Sequence, residues 1–306
     1  MPITTEAQPA DFSIRKRHPL IGAEIRGVDL RSPVDERTFA KIFDAWMENL
    51  LLVFPDQDIS DAQQIAFARR FGGLELHPSA DHRSSKHPEI YRVSNVDEQG
   101  RILPPAGSAW KYLELTWLWH TDSSFREIPS MGSILHGIEV PPEGGDTLFA
   151  NMYAAYEALP AVRREELDDL RVVHTHDHIL SLSKDSTLKD ALNHDRQLSA
   201  THPIVRTHPV TGRKSLFISP HTMDRVEGWS EADSRALFQQ LADFATQPEF
   251  VYRHKWRRND VIMWDNRCTM HAVMPYDSAN RRRVMHRTTI VGDGPVIAAA
   301  NTAAAA

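Results

Sequence analysis

The pattern of hydrophobic and polar positions divides the chain into interleaved helical and extended segments. Apolar residues at helical spacing predict helices at residues 36–49, 58–71, 151–158, 161–169 and 230–246. Alternating or short continuous apolar runs predict strands at residues 20–30, 50–54, 131–140, 146–150, 171–178, 249–256, 260–264 and 285–291. Ser60, with Gln63 three residues later, and Ser230 are typical helix N-caps. The pattern predicts an α+β chain with a mainly β core.

Polar stretches between these elements set the expected domain organisation. Residues 79–112 and 184–202 are polar without a clear period, and we interpret them as lids over a site. Residues 297–306 are predicted to form a disordered tail. The chain has 306 residues, of which 41% are hydrophobic. We therefore expect one catalytic domain over residues 1–306, with its core at about 18–296.

Two histidines and one aspartate suggest a metal site. His120 and Asp122 flank a single residue, so their side chains share one face of an extended segment. With His271 they supply two imidazoles and a carboxylate, the set that holds non-haem Fe(II) and leaves coordination positions open. We therefore expect an iron oxygenase.

Two arginines near the end of the chain suggest anion binding. Arg283 and Arg287 fall on one face if this segment is a strand, and an inward arginine requires an anion. Each could hold a carboxylate through a bidentate contact. A basic solvated strand or a nucleic-acid patch is the alternative for three consecutive arginines. The net charge of −6 and the lack of a wider basic stripe argue against nucleic acid.

These motifs, in this order, resemble the family of Fe(II)/2-oxoglutarate dioxygenases that contains taurine dioxygenase and 2,4-dichlorophenoxyacetate dioxygenase. The resemblance runs from about Gly22 to Val296 and is closest to the phenoxyacetate branch at 119–125 and 250–271. The segments that carry it are Gly22–Leu30, Ala66–Gly72, His120–Phe125, Gly144–Thr147, Thr207–Arg213, Met263–Arg267 and His286–Arg287. It implies a double-stranded β-helix, or jelly roll, with flanking helices.

The resemblance also implies roles for the site residues. His120, Asp122 and His271 would bind Fe(II), and Thr147 and Arg283 would hold the distal carboxylate of the co-substrate 2-oxoglutarate. With O2 as oxidant, the products would include succinate and CO2.

For the primary substrate, the resemblance implies that Arg287 faces an anionic group. His77 would contact the substrate, and Trp264 would lie beside the metal site. Thr116 departs from the family, because the taurine enzyme has an asparagine four residues before its first iron ligand. This departure concerns the substrate pocket and leaves the iron site intact.

Three classes of function follow from these residues. We expect hydroxylation of a C–H bond in a small anionic substrate, first a carboxylate such as an aryloxyalkanoate and second a sulfonate or alkyl sulfate. A zinc hydrolase could use the same three ligands with water in the fourth position. The third class is a small-molecule binding protein without catalysis. Such a protein would not need all three candidate metal ligands together with both arginines.

Other histidines have more than one interpretation. His174, His176 and His178 alternate, so on a strand they would share one face and could bind a second metal or line a polar face. His221 follows a predicted hairpin and is either a pocket or a loop residue. Cys268 is the only cysteine, which excludes an intramolecular disulfide, and we interpret it as a small buried residue.

The expected setting is the cytoplasm. Residues 1–16 lack the apolar segment of a signal peptide, and no apolar run could span a bilayer. A sequence pI near 6.2 predicts no preference for membranes or nucleic acid. We expect a homo-oligomer whose partner is a small anionic molecule.

Overall fold

The computed structural model describes residues 12–78, 80–183 and 198–299. The described helices are α1 Glu36–Asn49, α2 Asp61–Ala68, α3 Ser108–Glu114, α4 Met152–Ala158, α5 Ala161–Asp168, α6 His176–Ser181 and α7 Glu231–Ala245. Single 3-10 turns lie at Ala80–His82, Leu115–Trp117 and Pro248–Phe250. The first eight strands are β1 Ser13–Lys16, β2 Ala23–Arg26, β3 Leu51–Phe54, β4 Tyr91–Ser94, β5 Gly132–Glu139, β6 Thr147–Asn151, β7 Arg171–Thr175 and β8 Ser199–Pro203. The remaining strands are β9 Val205–Thr207, β10 Lys214–Leu216, β11 Met223–Val226, β12 Val251–His254, β13 Val261–Asp265, β14 Thr269–Val273, β15 Val284–Ile290 and β16 Ile297–Ala298.

Two sheets carry the residues that matter for function. The large sheet has seven strands in the order β1-β2-β3-β13-β5-β15-β4, and only β2 and β3 are parallel. A three-stranded antiparallel sheet has the order β12-β6-β14. Two further three-stranded sheets have the orders β10-β9-β16 and β11-β7-β8. The structure is therefore a mixed fold with a mainly β core.

Both faces of the central strands β3 and β13 of the large sheet are buried. One face shares a core with the β12-β6-β14 sheet, where Trp264 and Met285 pack with Phe149 and Tyr252. The other face packs against α1 and α2 through residues such as Trp46. Strands buried on both faces read as continuous apolar runs, which explains the sequence Leu51–Phe54. This packing fixes β14, which carries His271, and β15, which carries Arg287.

Local sequence signals set the helix ends. Ser60 accepts a hydrogen bond from the Gln63 amide, and the Gln63 side chain accepts one from the Ser60 amide, so the predicted capping box is confirmed. Ser230 caps α7 as predicted. Leu50 ends α1 in the left-handed conformation, at φ +63°, and does not begin β3. Leu237, Phe238 and Leu241 are buried on α7, whereas Ala236 is exposed.

The two polar segments that we interpreted as lids, residues 79–112 and 184–202, both contain regular secondary structure. Residues 79–112 contain β4 and the start of α3, so this segment includes regular secondary structure. The reason is that β4 pairs with β15 in the large sheet. Within 184–202, residues 184–197 lie outside the described part, and Ser199–Pro203 form β8. Most of the predicted tail also lies outside it, while Ile297–Ala298 form β16. No described helix is both long and apolar enough to cross a membrane.

Candidate metal centre and substrate cavity

Two distant segments bring His120 and His271 together. His271 lies in the middle of β14, and His120 pairs with it through an isolated antiparallel bridge. Their backbones exchange two hydrogen bonds, of 2.9 and 2.8 Å between N and O. The two imidazole centroids are 4.1 Å apart. The backbone pairing thus sets the two rings side by side.

Asp122 completes the group. Its Oδ1 lies 4.0 Å from Nε2 of His120 and 3.9 Å from Nε2 of His271. Ser133 donates to the other oxygen, Oδ2, at 2.7 Å, which fixes the rotation of the carboxylate. One ligand atom from each residue lies within 4.8 Å of the others, and all three side chains are buried. Because of this convergence, the three residues form a candidate metal site.

The protonation states suit a metal. Burial lowers the pKa of His120 and takes that of His271 well below its usual value, so both rings are neutral near pH 7. The Nδ1 of His120 lies 2.7 Å from the carbonyl of Leu118, to which it can donate a hydrogen bond. In that tautomer Nε2 carries no proton and can bind a metal. Burial alone would raise the pKa of Asp122, but Arg287 and the two histidines hold it well below its usual range. Neutral imidazoles and an ionised carboxylate are the forms that bind divalent iron.

Arg287 lies against this centre. Its Nη1 donates to Oδ1 of Asp122 at 2.6 Å, and its guanidinium stacks over the Tyr91 ring at 4.6 Å. The buried Nε of Arg287 has no hydrogen-bond partner among the described residues. The structure therefore places Arg287 beside the metal ligands, within reach of a group bound there.

Arg283 occupies a separate buried position just before β15. Its Nε donates to the carbonyl of Gly145 at 3.1 Å, and its amide donates to Asn95 Oδ1 at 2.7 Å. Its Nη2 is buried without a partner among the described residues. Burial lowers the pKa of Arg283 to about 10, so the charge persists at neutral pH. A buried guanidinium with an unused donor is a site for an anion.

A small cavity lies in front of Arg283. Its lining includes Trp110, Trp117, Tyr276 and Val273. Val273 is two residues from His271 on β14, so this cavity reaches the side of the metal centre. The hydroxyl of Thr147 accepts from Trp256 Nε1 at 2.9 Å, and its own proton remains available for donation. Thr147 also lies opposite Val273 in the ladder between β6 and β14.

A larger cavity, partly open to solvent, lies beside His120 and Asp122. Its polar and aromatic lining residues are Glu75, His77, Glu89, Tyr91, Tyr112, Thr116, His120, Thr121, Asp122, Ser123, Phe125, His221, Thr222, Arg287 and Thr289. His77 stacks on Tyr91 with ring centroids 4.1 Å apart. Thr116 lines both cavities, and its hydroxyl donates to the carbonyl of Leu113 at 2.7 Å. Thr116 therefore separates the two cavities while its hydroxyl is already bonded.

Some sequence expectations change in this geometry. Trp264 is buried with its ring 4.8 Å from that of His271, so it supports the ligand from behind and does not line the larger cavity. His176 and His178 lie in α6 and not on a strand, because Thr175 caps a helix there. The predicted shared face with His174 was therefore wrong, and the three do not form a metal group in the described structure. His221 lines the cavity, with its ring 5.0 Å from that of His120.

A second buried cluster contains residue types that bind metals, but its carboxylate is already paired with an arginine. His208, Asp265 and Cys268 bring ligand atoms within 4.8 Å. Both Asp265 oxygens are bound, since Arg267 donates to Oδ1 at 2.9 Å and to Oδ2 at 2.6 Å, and His208 lies 3.1 Å from Oδ2. Cys268 is buried as expected, and burial raises the pKa of its thiol. This group is an internal ion-pair network behind the metal centre.

Sequence reasoning missed two contributors. Ser133, which orients Asp122, lies on β5 and comes close only because β5 pairs with β13 and β15. Glu75, which lines the larger cavity, has no motif in the sequence that relates it to the ligands. The Gly-Gly-Leu-Glu-Leu-His-Pro run around His77 was the only available signal for its position.

Comparison with known proteins places this site in a family. Residues 13–289 match the family described as "Taurine catabolism dioxygenase TauD, TfdA family". The chain belongs to this family. It is an Fe(II)- and 2-oxoglutarate-dependent dioxygenase, an oxidoreductase, as the sequence predicted.

Curated relatives and solved structures agree with this membership. The 2,4-dichlorophenoxyacetate dioxygenase of Cupriavidus pinatubonensis is 38% identical over 89% of this chain and 96% of that protein. The alkylsulfatase of Acinetobacter baylyi is 33% identical over 92% and 86%. The crystal structure of AAD-2 in complex with Mn(II) and N-oxalylglycine has a TM-score of 0.82 and 36% identity, and covers 93% of this chain and 99% of that one.

Proposed function

We propose that this dioxygenase hydroxylates a C–H bond of a small anionic substrate, most readily a carboxylate such as an aryloxyalkanoate. The observation that carries the proposal is the convergence of His120, Asp122 and His271 beside a cavity that Arg287 also lines, with the buried Arg283 at the wall of a second cavity. One arginine, Arg283, suits the co-substrate, and the other, Arg287, suits the substrate.

His120, Asp122 and His271 are the proposed ligands of Fe(II). Their donor set is two neutral imidazoles and one ionised carboxylate, with Ser133 fixing the carboxylate. Bound there, Fe(II) supplies the O2-dependent oxidation that is coupled to conversion of 2-oxoglutarate to succinate and CO2. The protein's own contribution is to hold the ligands in place, orient the two organic anions and exclude water.

Arg283 and Thr147 are the proposed partners of the distal carboxylate of 2-oxoglutarate. The buried Nη2 of Arg283 supplies a charge-assisted donor, and the Thr147 hydroxyl supplies a second donor. The cavity in front of Arg283 reaches β14 beside His271, which would allow the other end of the molecule to approach the metal.

Arg287 is the proposed partner of the substrate anion, and His77 lines the same cavity. Once Asp122 serves the metal, the guanidinium beside it can pair with a new anion. A carboxylate is favoured because a similar protein is a 2,4-dichlorophenoxyacetate dioxygenase. A sulfonate or alkyl sulfate is the second candidate, since another relative is an alkylsulfatase. A zinc hydrolase has less support, because it gives no role to the buried charge of Arg283.

The wider setting is also proposed. We infer that residues 1–306 form one catalytic domain with a jelly-roll core, built on the facing seven-stranded and three-stranded sheets. We also infer a homo-oligomer in the cytoplasm. The net charge of −6 supports the proposal that it has no nucleic-acid partner.

A panel of acids tests the substrate class. Purified protein with Fe(II), ascorbate, O2 and 2-oxoglutarate would be mixed with matched carboxylates, sulfonates, sulfate esters and their neutral analogues. We expect carboxylates to raise succinate release above the substrate-free rate, and their amides to do so much less. Stimulation by sulfate esters alone would favour the second candidate, and equal stimulation by neutral analogues would contradict an anionic substrate.

A further inference from the structure

Glu75 is fixed beside the strand that carries Arg287. Its amide donates to the carbonyl of Thr289 at 2.8 Å, and Leu74 forms an isolated bridge with Ile290. Thr289 lies two residues after Arg287 on β15, a distance of roughly 7 Å along a strand. Thr289, Arg287 and Glu75 all line the larger cavity. The backbone thus holds a carboxylate and a guanidinium along the same wall.

The contacts of Glu75 use only one of its oxygens. Ser123 Oγ donates to Oε2 at 2.7 Å, and Arg126 Nε lies 3.3 Å from the same atom. Oε1 has no partner among the described residues, although the side chain is only 10% exposed. Ser123 adopts a left-handed backbone, at φ +57°, immediately after the ligand Asp122. This backbone conformation places the Ser123 hydroxyl against Oε2 of Glu75, while Oε1 accepts no hydrogen bond from a described residue.

The charge balance of the cavity constrains what Oε1 can bind. Burial raises the pKa of Glu75, and Arg126 and the Ser123 hydroxyl only partly offset that rise. The contact with Arg126 supplies the opposite charge for an ionised Glu75 carboxylate. The other carboxylate at the wall, Glu89, is paired with Arg69 at 2.7 Å. With Asp122 assigned to the metal, Arg287 is the cation left for a substrate. A ligand with a single negative charge neutralises Arg287. A neutral hydroxyl or N–H group on the same ligand can donate a hydrogen bond to Oε1 of Glu75 and adds no further charge.

We propose that Glu75 determines substrate specificity, and that the substrate is a monoanion carrying a neutral hydroxyl or N–H donor several bonds from its acidic group. Arg287 binds the acidic group and Oε1 of Glu75 accepts from the donor. This inference rests on the proposed function, since it takes Arg287 as the partner of the substrate anion.

A double-mutant cycle between protein and ligand tests the role. Pairs of acids that differ only by a hydroxyl and its methyl ether would be titrated into protein loaded with Mn(II) and N-oxalylglycine, which does not turn over. Glu75→Gln keeps an oxygen for the Ser123 hydroxyl but removes the charge. Glu127→Gln is the matched control, because Glu127 is exposed and one residue from Arg126.

We expect wild type and the control to bind the best hydroxyl-bearing acid roughly 10- to 100-fold more tightly than its ether, as for a hydrogen bond to a charged group. Glu75→Gln should reduce this ratio several-fold while leaving the affinity for the ether nearly unchanged. Where Glu75→Gln does not fold, Glu75→Asp, which keeps the charge on a shorter side chain, should show a reduced ratio.

Three results would overturn the inference. An unchanged ratio in the folded variant would remove Glu75 from recognition while leaving the anionic-substrate proposal in place. A panel in which every ether binds wild type as well as its hydroxyl partner would do the same. Failure of wild type to bind any of the acids would contradict the proposed function itself, and the role of Glu75 with it.

Discussion

Replacing Arg283 tests the co-substrate site most sharply. The guanidinium is buried, donates through Nε to Gly145, and leaves Nη2 without a partner among the described residues. In Arg283→Gln, the distal carboxylate of 2-oxoglutarate would enter the same buried cavity without its charge-assisted partner. Leaving a buried charge unpaired costs about 2–4 kcal/mol, which is roughly a 30- to 1000-fold loss of affinity.

The assay measures the KM for 2-oxoglutarate by succinate formation, together with its Kd on Mn(II)-loaded protein. We expect both constants to rise within that range, while kcat at saturating 2-oxoglutarate falls little, because the lost contact acts on binding. Arg282→Gln is the control: Arg282 is the preceding residue, is partly exposed and pairs with Glu139. Its effect should stay within about threefold, since exposed ion pairs contribute little. An unchanged Kd in a folded Arg283→Gln protein would refute the assignment.

Three further predictions concern the metal, the substrate and the fold. His120→Ala, Asp122→Ala and His271→Ala should each fold and lose Fe(II) binding and turnover; near-normal metal content in the His271 variant would argue against the site. Arg287→Gln should weaken the binding of an acid far more than that of its amide, while substrate-free succinate release persists; equal losses would make Arg287 structural. Asp265→Ala should lower the free energy of unfolding in urea by about 3–5 kcal/mol, because the buried Arg267 keeps its contact with Asp293 but loses the carboxylate bound to its Nε and Nη2. Since the pKa of Asp265 is held low in the fold, its contribution is present above the unfolded value near 4 and declines as pH falls below it. The wild-type protein should therefore lose more stability than the variant between roughly pH 4 and pH 2, and parallel losses would contradict this.

The sequence predicted features that are encoded locally. The capping box at Ser60, the cap at Ser230 and helix α1 follow from neighbouring residues, and the structure confirms them. The pairing of His120 with His271 is not local, yet the ligand chemistry of the side chains made it predictable.

Tertiary contacts account for most of what the sequence did not reveal. Strand β4 lies inside a polar segment, and only its pairing with β15 makes it a strand. The alternating histidines from His174 suggested an extended segment, but the Thr175 side chain accepts from the His178 amide and starts a helix. Ser133 and Glu75 reach the site through strand pairing and backbone contacts with distant residues, which no local pattern encodes.

The most direct test of the account is succinate formation from 2-oxoglutarate by purified protein supplied with Fe(II), O2 and a stimulating acid. We predict one succinate for each 2-oxoglutarate consumed, dependence on both Fe(II) and O2, and loss of the activity in His271→Ala. Turnover of the acid that proceeds with zinc and without 2-oxoglutarate would contradict the account.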